Sequence, residues 1–113
     1  MPYISTNTNI KISSQQEFEL KKAFAKAIEL IPGKSEQWLM LKFNESQRMW
    51  FAGDNAPMCM LEVENFGSSS QSSYDALTAE LTSIVSNILD ISPIRIYVKY
   101  EEIEQWGWNG SNF

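Results

Sequence analysis

Met58-Cys59-Met60-Leu61-Glu62-Val63 leads into Gly67-Ser68-Ser69-Ser70, then a stripe of Tyr74, Leu77, Leu81, Ile84, Val85 and Ile88, then Ser92-Pro93 and Ile94-Arg95-Ile96-Tyr97-Val98-Lys99-Tyr100. A short apolar run, a polar loop whose last serines can cap a helix, apolar positions at three- and four-residue spacing, a breaker and a second β-prone run make one β-α-β unit. Two strands joined through a helix lie parallel, and their crossover is right-handed.

The preceding residues repeat the order. Pro2 to Asn9, with Tyr3, Ile4, Thr6 and Thr8, predicts a strand. Ser14-Gln15-Gln16-Glu17 has capping-box spacing, and Leu20, Phe24, Ala27, Ile28 and Ile31 form the apolar face of a helix that Pro32-Gly33 ends. Trp38 to Phe43 predicts the returning strand, Met49-Trp50-Phe51 a short edge strand, and Trp106-Gly107-Trp108 the start of a short terminal segment. The fold class is therefore α+β (α/β). Residues 1–113 form a single domain of two pseudosymmetric β-α-β units, with a four-stranded mixed sheet and both helices on one face. Trp38-Leu39-Met40-Leu41 and Met58-Cys59-Met60-Leu61 are apolar at consecutive positions, which predicts an apolar second sheet face and an oligomer that covers it.

Composition removes many functions. The 113 residues are 43% hydrophobic, as in a globular core, and the net charge of −5 comes from 14 acidic against 9 basic residues with no dense basic cluster, which argues against nucleic-acid partners. Lys21-Lys22 beside Glu17 and Glu19 is an ordinary solvated helix face. The absence of histidine removes Ser-His-Asp triads, Cys-His dyads and most zinc sites, so no metal is expected. The single cysteine, Cys59, excludes an intrachain disulfide and reads as a small buried hydrophobe. No apolar run is long enough to insert in a membrane, and the N-terminus has neither a basic n-region nor an apolar h-region. A cytoplasmic chain is expected, with any extracellular role requiring export without a conventional signal.

Pro2 has two readings. Proline suits the first residue of a strand because it lacks an N–H. Loss of Met1 would instead turn its amide nitrogen, which is neither basic nor nucleophilic, into a free secondary amine able to take a proton.

Several pieces in order resemble the macrophage migration inhibitory factor family of the tautomerase superfamily: Met1-Pro2 leading to Thr6-Asn7-Thr8-Asn9, Pro32-Gly33-Lys34, Phe51-Ala52-Gly53, Ile91-Ser92-Pro93-Ile94-Arg95-Ile96-Tyr97, and Gly107-Trp108-Asn109-Gly110-Ser111-Asn112-Phe113. The resemblance implies a homotrimer that interconverts keto and enol forms of phenylpyruvate-like α-keto acids without a cofactor. It also implies the alternative of a secreted, cytokine-like ligand for a protein receptor. By position, Pro2 would be the catalytic base and Lys34 would hold the substrate carboxylate. Tyr97 would reach the pocket from a neighbouring subunit, and Trp108 and Phe113 would form its apolar wall. Without the resemblance, Lys34 reads as an exposed lysine at a helix end, and Tyr97 and Trp108 read as strand packing.

The chain departs from the family pattern at three places. Lys99 stands where better-known members carry an asparagine, adding a second cation to the expected pocket. Glu64 or Asn65 replaces a small apolar contact at the end of the pocket strand, and Glu64 would oppose an anionic substrate unless Lys99 neutralises it. Ala56 replaces the first thiol of a CxxC motif, so thiol redox activity is not expected.

Overall fold

The computed structural model describes residues 1–113. Strands β1 (Pro2–Thr8), β2 (Met40–Asn44), β3 (Cys59–Phe66) and β4 (Ile96–Ile103) form one sheet in the order β2-β1-β3-β4. Helices α1 (Ser14–Ala27) and α2 (Gln71–Leu89) are the crossovers. The pairs β1–β2 and β3–β4 are parallel and the central pair β1–β3 is antiparallel, which is the two-unit pseudosymmetry read from the sequence. Strands β5 (Gly107–Trp108) and β6 (Ser111–Asn112) form a terminal hairpin. Asn109 and Gly110 both have positive φ, at 52° and 82°, the conformation an Asn-Gly hairpin turn requires.

The core lies between the helices and one sheet face. Leu20, Phe24, Ile28 and Ile31 from the first crossover, and Leu77, Leu81 and Val85 from the second, close over Ile4, Leu61 and Val63, all nearly inaccessible to water. Each such side chain contributes about 1.5–3 kcal/mol through its burial. The first helix begins one residue earlier than its sequence signal. Ser13 is the cap, its Oγ accepts from Gln16 N, and the Gln16 side chain accepts from Ser13 N, because a glutamine amide completes the box as well as a glutamate. Ser70 caps α2, and Asp90 ends it in the left-handed region.

Three boundaries correct the sequence reading. Glu36–Trp38 is a 3-10 turn, so β2 starts at Met40, and Pro93–Arg95 is another, so β4 starts at Ile96. Met49-Trp50-Phe51 is no strand. Phe51 and Asp54 make an isolated bridge across a turn at Ala52-Gly53, held by Arg95, whose guanidinium pairs with Asp54 at 2.9 Å, bonds the carbonyls of Ala56 and Pro57, and lies 5.2 Å from the Phe51 ring centre.

The second sheet face is also not the apolar surface expected. Register puts Ser5, Asn7, Lys42, Asn44, Glu62, Glu64, Lys99 and Glu101 on it, with Tyr3, Met40, Met60, Phe66, Tyr97 and Ile103 as apolar and aromatic members toward its ends. Asn44 donates to Asn7 Oδ1 at 2.8 Å, Asn7 donates to Glu62 at 3.1 Å, and Lys99 pairs with Glu62 at 3.3 Å, a polar ladder across all four strands. The apolar runs misled because Trp38 and Leu39 precede the strand, and β3 turns Cys59, Leu61 and Val63 toward the helices.

Candidate functional site

A cleft of about 560 Å³ opens at the end of the sheet where β1 begins, lined by Met1, Pro2, Tyr3, Gln37, Trp38, Leu39, Met40, Glu64, Trp106, Gly107 and Trp108. Central strand β1 brings Pro2 here, buried on the helix side of the sheet and opposite Asn65 of β3. Phe66 N donates to Met1 O at 3.0 Å, so Met1 and Phe66 form the hydrogen-bonded pair of the antiparallel ladder. The next pair, Pro2 and Asn65, is then a non-hydrogen-bonded one, and proline costs the ladder nothing.

Lys34 arrives from the loop after α1. Gly33, at φ 82°, turns the chain, and Lys34 Nζ donates to Phe66 O at 2.9 Å. Burial, and then the Lys34 charge, push the terminal amine of Met1 down from 8.0 to about 6. Two observations therefore coincide at one place: an amine held largely neutral near pH 7, and a cation able to receive an acid.

The terminal hairpin supplies the wall. Trp108 packs edge-on against Trp38 at 5.0 Å and stacks with Phe113 at 6.3 Å, while Phe113 lies 5.5 Å from Phe66 and Trp106 lies 6.5 Å from the Phe66 ring. Trp108 and Phe113 nevertheless remain 52% and 57% exposed, so the wall is open on its outer side. Sequence reasoning missed Trp38, Phe66 and Trp106. The Asn109-Gly110 pair is a turn signal from which the terminal hairpin could have been read, and it is the bond from Lys34 Nζ to the Phe66 carbonyl that sets Lys34 at Phe66 rather than at Glu64 or Asn65.

The remaining residues fall in separate places. Glu64 lines the cleft, on the open face beside Tyr3. Asn65 points the other way, toward the helices, where its Nδ2 donates to Tyr74 Oη at 3.2 Å. Lys99 does not neutralise Glu64, because its register partner and ion pair is Glu62. Tyr97 is opposite Met60, five residues along β3 from Asn65 and two strands across from Pro2, so about 19 Å from it within one chain. It packs at 4.8 Å on Phe51 and is 55% exposed. Cys59 is buried, and burial pushes its thiol up to about 12. No three Cys, Asp or Glu side chains are grouped to ligate a metal, and no helix is long and apolar enough to cross a membrane.

Two parallel β-α-β halves joined through antiparallel central strands, with a cleft at the amino end of one of them, fit the tautomerase superfamily. The chain belongs to the macrophage migration inhibitory factor family, whose profile matches residues 1–113. It is 30% identical over 118 residues to the macrophage migration inhibitory factor of Mus musculus, covering 100% of this chain and 99% of that one. The crystal structure of Leishmania major MIF2 superposes with a TM-score of 0.94 at 28% identity, covering 100% of this chain and 97% of the other. Pt0534, solved after inactivation by 2-oxo-3-pentynoate, shares the fold at a TM-score of 0.80 and 17% identity, over 89% of this chain and 85% of its own. Family membership supports a tautomerase-type or cytokine-type protein.

Proposed function

We propose that the chain is a cofactor-independent keto-enol tautomerase for phenylpyruvate-like α-keto acids, with Pro2, exposed by removal of Met1, as its general base. The observation that carries this is the setting of the N-terminus, where Pro2 lines an aromatic cleft and burial and Lys34 depress the amine of Met1 one residue away. A base must be unprotonated to work, and a pKa near or below neutrality serves that. With Met1 gone, Phe66 N–H loses its acceptor and faces the cleft, ready to bond a substrate oxygen. Lys34 then receives the carboxylate, and Trp38, Trp106, Trp108 and Phe113 flank an aryl group. Pro2 removes the proton from the carbon next to the keto group and returns it to oxygen, or the reverse. Pt0534, of the same fold, is inactivated by a compound of this 2-oxo acid class. In a homotrimer a neighbour's Tyr97, half exposed and beyond reach of its own Pro2, would close the cleft. The test is enol-to-ketone absorbance turnover with a mass-confirmed Pro2 terminus, against Pro2→Gly. A fall of at least about tenfold is expected, and equal rates refute the assignment.

One observation favours a second reading, a cytokine-like binding protein for a receptor. Glu64 places a carboxylate in the cleft lining, whereas Lys34 is held on the Phe66 carbonyl, and that carboxylate works against an anionic substrate. Undiminished partner binding by Pro2→Gly, together with negligible turnover by the wild type, supports that role.

A further inference from the structure

Asn65 is buried, with 3% of its surface exposed, and its Oδ1 has no hydrogen-bond partner. Leaving such an acceptor unsatisfied is costly, and buried polar groups normally find partners. The other end of the amide is fixed. Its Nδ2 donates to Tyr74 Oη, and Tyr74 in turn donates to Glu102 Oε2 at 2.6 Å, which also accepts from Ser69 N at 3.0 Å. Burial and the bond to Glu102 hold the Tyr74 phenol above its ordinary value, so it stays protonated and able to accept from Asn65. The free oxygen is thus set by a chain of bonds from α2 and β4.

What lies across from it is Pro2. The two residues are register partners at a non-hydrogen-bonded pair, where Cα atoms approach to about 4.5 Å and side chains on the same face are neighbours. In the intact chain Pro2 N has no hydrogen. Once Met1 leaves, the planar amide becomes a pyramidal amine, and its hydrogen and lone pair straddle the direction of the lost bond, one toward each face of the sheet. Asn65 occupies the helix face, whereas Tyr3, Met40 and Glu64 border the cleft from the open face.

We infer that Asn65 is a positioning residue for the Pro2 amine: its Oδ1 accepts the amine N–H from the helix side, so that the lone pair points into the cleft. This rests on the Pro2 base assigned above and adds what aims it. A pyrrolidine nitrogen inverts freely, so without the acceptor the lone pair divides its time between the two faces. The same acceptor favours the protonated amine, opposing the lowering that burial and Lys34 exert on an amine at this end of the chain, as they do on that of Met1. The charged and titratable groups facing the amine are Lys34 from the loop after α1, Tyr3 of β1 and Glu64 of β3. Behind Asn65 stand Tyr74 of α2 and Glu102 of β4.

The experiment is a titration of Pro2 by nitrogen-15 resonance in the Met1-free protein, with kcat and KM over the same pH range. Asn65→Leu is expected to lower the Pro2 pKa by about one unit and kcat at high pH by about tenfold, with KM near wild type. Asn65→Asp, which keeps an acceptor and can add charge, is expected to shift the pKa upward. Shifts of the same sign in both variants, or a wild-type titration in Asn65→Leu, overturn the proposal. Should Asn65→Leu fail to fold, Asn65→Ala, which carries no side-chain acceptor, must show the same downward shift for the proposal to stand. A wild type without turnover, in which Asn65→Leu still lowers the Pro2 pKa, removes the catalytic assignment and leaves the hydrogen bond in place.

Discussion

Replacing Lys34 by glutamine separates two effects that one side chain exerts. Lys34 Nζ bonds Phe66 O at 2.9 Å and, as a like charge, lowers the terminal amine. A glutamine amide can keep a bond to the carbonyl but not the charge. A hydrogen bond involving a charged group contributes about 1.5–3 kcal/mol, so KM for an α-keto acid should rise about 10- to 100-fold. The second effect has a definite sign. Removing a cation removes a repulsion of the protonated amine, so the Pro2 pKa rises and the acid limb of kcat/KM moves to higher pH. Activity is then lost more severely at pH 6 than at pH 8. The assay is initial rate against substrate concentration across that range, with Lys34→Arg expected to recover most of the KM. An unchanged KM, or a limb that moves to lower pH, contradicts the placement of Lys34 beside both the substrate and the base.

Other consequences are more local. Ala52 holds a left-handed φ of 51° next to Gly53 at 84°. Relief of that strain by Ala52→Gly should stabilise the fold by up to about 1 kcal/mol, read by urea unfolding. Cys59 should be inert to thiol reagents in the native protein at pH 8 and react fully only on unfolding, because burial keeps the thiol protonated. In the homotrimer proposed above, Trp50, 72% exposed and next to Phe51 in sequence, is placed at a subunit contact, so Trp50→Glu should shift the mass by light scattering toward that of the 13.0 kDa chain.

Much of the fold was legible because it depends on local chemistry. The apolar stripes Leu20-Phe24-Ala27-Ile28 and Leu77-Leu81-Ile84-Val85 have helical spacing and occupy the core, and Pro32-Gly33 and Ser92-Pro93 mark the helix exits. What was not legible depends on register and on packing between distant residues. Whether Glu64 or Asn65 faces the cleft is a question of strand parity, and a run such as Met58-Cys59-Met60-Leu61 does not declare which of its residues turn outward. Likewise, Lys99 finds Glu62 because β3 and β4 pair in that register. The Trp38–Trp108 contact joins residues seventy positions apart through a hairpin whose Asn-Gly turn was the one local hint.

The central claim is that the amine of Pro2, rather than the cleft alone, performs the proton transfer. Its most direct test is turnover of the enol of an aryl α-keto acid by two mass-verified forms of the chain, one beginning at Pro2 and one retaining Met1. Met1 leaves Pro2 an amide and sets its own carbonyl on Phe66 N. The account predicts turnover in the Pro2 form and a loss of at least about 100-fold in the Met1 form. Equal rates in the two forms would contradict it.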